Sequence, residues 1–143
     1  MITETILLKQ RPIGKPKLSD FEFLKKETNL AIKKGDILLD TIYISVDPYL
    51  RGRMNDAKSY IPPFEVGKPI SSGLVAKVMA SKNDHFNEGD YVSGMLEWKT
   101  KQISTGEGLI KIDKNSAPLS AYLGILGMTG FTAYLGLTEI GKP

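Results

Sequence analysis

The apolar run Ile37–Val46 stops at Asp47-Pro48, and this abrupt end constrains the fold more than any other feature of the chain. Ten nearly continuous apolar positions suit a strand covered on both faces. Pro48 removes a backbone donor and fixes φ, and it pushes Asp47 out of the helical region, so the strand cannot continue. The segment S-V-D-P-Y-L-R-G-R-M, Ser45–Met54, then crowds an aromatic, two arginines, a glycine and a methionine behind the break.

Around this run the first hundred or so residues read as short strands separated by turn residues. Thr5–Lys9 is a strand closed by Pro12, Gly14 and Pro16, and Phe21–Lys25 alternates apolar and charged residues as a half-buried strand does. Asp47–Pro69 is irregular. Gly73–Ala80 alternates again, Glu88-Gly89-Asp90 turns into Tyr91–Trp98, and Gly108–Asp113 adds one more strand. This pattern predicts a mainly β fold, a closed or partly open barrel, in which closure removes exposed edges. The character changes near Asn115. Ser116 and Pro118 predict a helix start with a serine cap, Leu119–Leu126 a first helix and Thr129–Ile140 a second, closed by Gly141 and Pro143.

Composition narrows the function classes. With 143 residues, 41% apolar and 24% charged, the chain is an ordinary globular sequence. Its net charge of +3 comes from lysines interleaved with apolar positions, which reads as a solvated basic surface and not as a nucleic-acid patch. There is no cysteine, so disulfides, thiolate catalysis and cysteine-bound zinc are excluded. No signal-peptide pattern and no apolar run of membrane-spanning length is visible, and a reduced cytoplasmic setting is the expectation.

Three motifs in order carry a resemblance: Ser45–Met54, P-P-F-E-V-G-K-P-I at Pro62–Ile70, and G-M-T-G-F-T-A-Y at Gly127–Tyr134. Together they resemble the zinc-free medium-chain dehydrogenase/reductases. The nearest branch is that of the NADPH-dependent enone and quinone reductases, including the prostaglandin reductases (leukotriene hydroxydehydrogenases). The resemblance runs from Arg11 to the last residue. It implies a GroES-like, partly open β-barrel over residues 1–117 and a helical segment over 118–143 that leads into a Rossmann cofactor domain lying outside this sequence. It also implies hydride transfer from NADP(H) to the C=C bond of an α,β-unsaturated carbonyl or quinone, without metal. In zinc-dependent relatives a cysteine ligand stands near Ser45–Met54; here that neighbourhood offers Asp47, and the sole histidine, His85, lies in a distant polar loop, so three zinc ligands cannot be assembled.

The resemblance and the local cluster give Tyr49, Met54 and Tyr60 as candidates for a substrate cleft, with Met95 and Trp98 along its border. Aromatic and flexible apolar walls suit a flat conjugated carbonyl. Taken alone, Tyr49, Met54 or Tyr60 reads as core packing before it reads as a contact; the cluster and the resemblance together bring the two readings level, and for Trp98 a half-buried barrel residue is the equal alternative. Where many relatives carry a tyrosine shortly after the tryptophan, this chain has Lys99-Thr100-Lys101. Met128 and Thr129 are the candidate cofactor contacts, the methionine on the nicotinamide ring and the threonine hydroxyl on ribose or carboxamide. Gly127 and Gly130 read as glycines that allow a close approach of neighbouring backbone. Gly124, Gly127 and Gly130 do not form a dinucleotide fingerprint, which needs a βαβ context. Asp47 reads as an Asx turn that accepts backbone N–H bonds, in preference to a catalytic carboxylate. Arg51 and Arg53 read as pairing within the protein. No catalytic acid is assigned. The partners implied are a small enone or quinone, with no nucleic acid or membrane and with a homodimer in view through the tail. Two alternatives remain open: a stand-alone GroES-like binding or assembly module, and a basic nucleic-acid-binding barrel.

Overall fold

The computed structural model describes residues 1–143. Seven strands form two sheets. β1 (Ile2–Leu8) and β2 (Phe21–Glu27) make an antiparallel pair. β3 (Ile37–Ile44), β4 (Ser71–Ser81), β5 (Tyr91–Glu97), β6 (Lys101–Ser104) and β7 (Ile110–Ile112) make a second sheet in the order β6-β3-β4-β5-β7, with every pair antiparallel. A short helix α1 (Tyr49–Arg53) follows β3, and the chain ends in a 3-10 helix (Leu119–Leu123), helix α2 (Met128–Leu135) and a π-helical turn (Gly136–Gly141).

The expected mainly β architecture with a short helical tail is what the chain adopts. The sheets are joined by backbone rungs: Ile6 N–H donates to Trp98 O (3.0 Å), Trp98 N–H to Ile70 O (2.7 Å), and Ile70 N–H to Ile6 O (3.1 Å). These rungs close β1 onto the entry to β4 and the exit of β5. The barrel is thereby partly closed, and unpaired edge donors are removed where the two sheets meet.

Two apolar clusters fill the interior. One is built from Ile37, Leu39, Leu74, Ala76, Val78, Phe86, Val92 and Leu96, all at 8% exposure or less. The other joins Leu8, Leu50, Met54, Phe64 and Ile70. Alternation along β4 and β5 supplies the first cluster, as the sequence pattern predicts. β3 departs from its reading. Only Ile37, Leu38 and Leu39 are buried; Ile42 and Tyr43 are exposed. The β3–β4 register shifts between Thr41 and Tyr43, so Ile42 drops out of the ladder. Such a bulge twists the strand and turns its far half away from the core.

Other local readings are corrected as well. β6 was not foreseen, because K-Q-I-S carries no period; it exists by pairing with β3 from Ile37↔Ser104 to Asp40↔Lys101. Ser116 caps no helix: its hydroxyl donates to Asp113 Oδ2 (2.6 Å), and Pro118 stands at the start of the 3-10 helix without a side-chain cap. The first tail helix is that single 3-10 stretch, and the second gives way to a π turn after Leu135 and closes with Lys142 left-handed at φ 47°.

The long connection from β1 to β2 is closed by Asp20, which is 5% exposed. Its carboxylate accepts bonds from Gln10 Nε2 (2.8 Å) and Lys17 N–H (2.8 Å). The Gln10 bond first, and then the Lys17 amide, hold its pKa below the usual 3.8. A carboxyl with a depressed folded pKa contributes its full stability above the unfolded value and loses it as pH falls through the folded one. Urea unfolding should therefore show Asp20→Asn less stable than the wild type at neutral pH, with the gap narrowing as pH drops below 3.8. A gap independent of pH would show that the carboxylate charge does not matter here.

Candidate functional site

The turn after β3 is built from its own polar groups. Ser45 N–H donates to Gly73 O (2.8 Å), Ser45 Oγ to Asp47 Oδ2 (2.6 Å), and Leu50 N–H to Asp47 O (3.1 Å). The carboxylate of Asp47 thus takes a serine hydroxyl, and the expected Asx turn onto backbone N–H groups does not form. Pro48, at φ −56°, initiates α1 where the sequence suggested irregular chain. A proline is pre-organised for that position, which needs no N–H donor.

Three arginines then fasten the surroundings of α1. Arg51 donates to Gly14 O (2.9 and 3.1 Å), to Pro12 O (3.2 Å) and to the Asn55 side chain. Arg53 donates to Pro62 O (3.1 Å) and lies over the Phe64 ring at 3.9 Å. Arg11 donates to Met54 O (3.1 Å) and pairs with Asp56 (3.5 Å). Arg51 and Arg53 are engaged within the protein, as the sequence reading expected. They pin the loops 11–14 and 62–64 to α1.

Tyr49, at the start of α1, is half-buried against the second cluster. Burial, then the Asp47 carboxylate, and more weakly Tyr60 raise its pKa above the ordinary 10.0, while the Arg53 guanidinium acts the other way. The phenol is protonated at neutral pH, as an unshifted tyrosine also is. Tyr60 is 88% exposed on the loop that follows.

The other candidates separate. Met54 is 6% exposed and sits in the second cluster beside Leu8, Leu50, Phe64 and Ile70. It is a core residue, which corrects its assignment to a cleft wall: the last turn of α1 rolls it inward. Met95 projects from β5 with 58% of its surface exposed. Trp98 is half-buried between both clusters, and its indole N–H donates to Ser72 Oγ (2.8 Å). Met128 is 74% exposed at the start of α2. The Thr129 hydroxyl donates to Gly124 O (2.9 Å), so its single proton is spent on its own backbone and it meets a ligand only as an acceptor. The reading of Gly127 and Gly130 holds: a Cβ on Gly130 would stand 1.9 Å from Ile125 O, and one on Gly127 2.5 Å from Tyr122 O.

A cavity of about 510 Å³ lies elsewhere, between the β1–β2 hairpin and β3, with Ile6, Phe23, Ile42, Ile44 and Trp98 among its walls. Of the candidate residues only Trp98 reaches it. Two of the three threonines there are already used: Thr41 Oγ1 donates to Lys99 O (2.6 Å), and Thr100 Oγ1 accepts from Glu4 N–H (3.0 Å). No convergent polar groups mark it as a reaction site. No three His, Asp or Glu side chains stand in an arrangement that could hold a metal ion, and no helix is long and apolar enough to cross a membrane.

Replacing Gly130 by Ala should wedge the tail apart, since the methyl carbon would stand 1.9 Å from the Ile125 carbonyl oxygen, far inside van der Waals contact. The Phe131 amide, bonded to Gly127 O (3.0 Å), should exchange with solvent about tenfold to a hundredfold faster, the scale of local strain, while Leu74 and Val92 amides keep their protection. Unchanged exchange at Phe131 would mean that the close approach is not required.

Comparison with known proteins fits this geometry. A family model described as the N-terminal domain of oxidoreductase matches residues 4–112. The chain is similar to the NADPH-dependent curcumin reductase of Escherichia coli, 41% identical over 137 residues, which is 96% of this chain and 39% of that protein. It is likewise similar to the NADP(+)-dependent 2-alkenal reductase of Nicotiana tabacum, 41% identical over 142 residues, 96% of this chain and 41% of that protein. The crystal structure of CurA in complex with NADPH from Vibrio vulnificus superposes with a TM-score of 0.86 at 41% identity, covering 98% of this chain and 41% of that one. The chain spans about two fifths of the length of these relatives. It belongs to the N-terminal domain family of the NADP-dependent medium-chain oxidoreductases.

Proposed function

We propose that the chain forms the substrate-side wall of an NADPH-dependent reductase that acts on the C=C bond of α,β-unsaturated aldehydes, ketones or quinones. The family match, with relatives named for curcumin and 2-alkenals, supports the reaction class. The observation that carries the site is Tyr49: a half-buried phenol, its proton retained, at the mouth of a segment fastened by Arg51 and Arg53.

NADPH, when bound, supplies hydride to the β-carbon of the substrate. The residues of this chain hold and polarise the other end. Tyr49 gives a hydrogen bond from its O–H to the carbonyl oxygen and stabilises the enolate charge that the C=C electrons place there; the enolate then takes a proton from water at the α-carbon, which completes the addition across the double bond. Tyr60 and Met95 cover the flat face of the substrate, and Trp98 supports that wall from behind. Met128 lies along the cofactor edge, with Thr129 Oγ1 as an acceptor beside it. Such a reaction needs no metal ligand from this chain. A cytoplasmic setting accompanies this reading, in keeping with a chain that has no cysteine to oxidise.

A chimera in which this chain replaces the matching two fifths of the curcumin reductase tests the proposal. It should reduce 2-alkenals or quinones with NADPH. Tyr49→Ala should lower kcat/KM about tenfold, the scale of one lost contact, and Tyr49→Phe should recover only the share due to the ring. A chimera that binds NADPH but reduces none of these substrates would reject the reading; Tyr49 variants with unchanged kinetics would reduce Tyr49 to packing.

The chain alone exposes Phe131, Leu135 and Leu137 at 62%, 38% and 59%. In this reading they meet a cofactor domain in the whole protein, and a second copy when the chain is alone. Sedimentation velocity should show a concentration-dependent dimer that Phe131→Ser weakens. Calorimetric titration of the chain should show no saturable NADPH binding below millimolar concentrations, because a few contacts at the nicotinamide end do not offset the loss of freedom of a dinucleotide. A strict monomer, or micromolar NADPH binding, would contradict these assignments.

A further inference from the structure

We propose that Ser72 is the positioning residue through which Trp98 fixes the turn that presents Tyr49. Ser72 lies on β4 and is wholly buried. Its hydroxyl accepts from the Trp98 indole N–H at 2.8 Å and donates to Ser45 O at 2.7 Å; Gly73 O is a longer second acceptor at 3.4 Å. The direction of the chain is fixed by chemistry. An indole nitrogen can only donate, so the serine oxygen accepts there and its one proton is directed to Ser45 O.

The grip passes on through Ser45 and Asp47 themselves. Ser45 is the first residue beyond β3; Ser72 holds its carbonyl, its own hydroxyl donates to the Asp47 carboxylate, and the Asp47 backbone carbonyl receives Leu50 N–H in the first turn of α1. From the indole to the start of α1, hydrogen bonds of 3.1 Å or less alternate with the covalent frames of Ser45 and Asp47. Trp98 is an anchor that cannot drift, because its side chain packs on both clusters and its backbone is bonded to Ile70 and Ile6. Ser45 N–H bonds Gly73 O (2.8 Å), so the relay grips the turn from two adjacent residues of β4. Removing the Ser72 hydroxyl leaves both the indole donor and the Ser45 carbonyl with one partner fewer in a buried setting, where such losses are felt in full. Ser72 touches neither substrate nor cofactor in this account; it acts by aiming the turn.

The proposal rests on the assignment of Tyr49 to the substrate wall, and the experiment separates the two. In the chimera, Ser72→Ala should raise KM for the enone about three- to tenfold, with kcat and the KM for NADPH within about twofold, and Ser72→Thr should restore KM. In the 143-residue chain, the same Ala substitution should speed exchange of the Leu50 amide while amides of β1 and β2 stay as they were. If Ser72→Ala does not fold, Ser72→Cys, which keeps the side chain's shape and weakens both of its hydrogen bonds, takes its place and should raise the enone KM in the same way. An unchanged KM with unchanged Leu50 exchange overturns the proposal, as does an equal loss of kcat and NADPH binding. If no chimera reduces an enone, the functional reading fails, and Leu50 exchange still decides what Ser72 does.

Discussion

The arrangement of this domain hangs on Trp98. Its backbone bonds tie the two-stranded sheet to the five-stranded one, its ring touches both apolar clusters, and its indole N–H enters the interior polar relay at Ser72. Neither cluster is large, with eight buried residues in one and five in the other. A large aromatic at the junction lets two small cores behave as one, because each loses contacts if the ring moves. The polar end of the ring then needs a partner in the dry interior, and Ser72 is the residue that meets it.

From that junction the functional face follows. The turn after β3 is held from below by Ser72 and Gly73, and from the sides by arginines that reach across to the loops 11–14 and 62–64. The segment that carries Tyr49 is therefore not a free loop on a barrel. It is a short helix fixed on three sides, with one phenol left at its outer end. In the proposed reaction this fixed position would let the phenol meet a carbonyl oxygen without first ordering the chain around it.

Much of the barrel was legible in the sequence because alternation is a direct imprint of a pleated, half-buried strand. β4 and β5 show it; β2 does not, since Phe23 is exposed while Phe21 and Leu24 are half-buried. The four residues of β6 do not, since an edge strand of Lys, Gln, Ile and Ser is dictated by its neighbour β3 and not by its own pattern. The bulge at Ile42 was equally hidden: a run with seven apolar residues in ten looks alike whether the strand runs straight or turns outward halfway. The helix at Tyr49–Arg53 was masked by the same Pro48 that ends the strand, because proline both breaks one element and starts another.

The site was legible in part. Motif order pointed to the family, and the resemblance supplied Tyr49 and Tyr60 as the aromatic residues proposed for its cleft. Spacing alone did not reveal that Met54 turns into the core or that Thr129 spends its proton on Gly124, since both depend on how a short helix packs. Ser72 gave no signal at all: a serine in an alternating strand looks like a solvent-facing residue until the tryptophan opposite is placed. The most direct test of this account is native-state hydrogen exchange at the Trp98 indole and backbone N–H groups. If Trp98 is the junction, both exchange only through global unfolding, with the same free energy as the Leu74 and Val78 amides in the middle of β4. Exchange of Trp98 at a lower free energy, together with the β1–β2 pair and ahead of β4, would show that the sheets come apart independently and that Trp98 does not hold them.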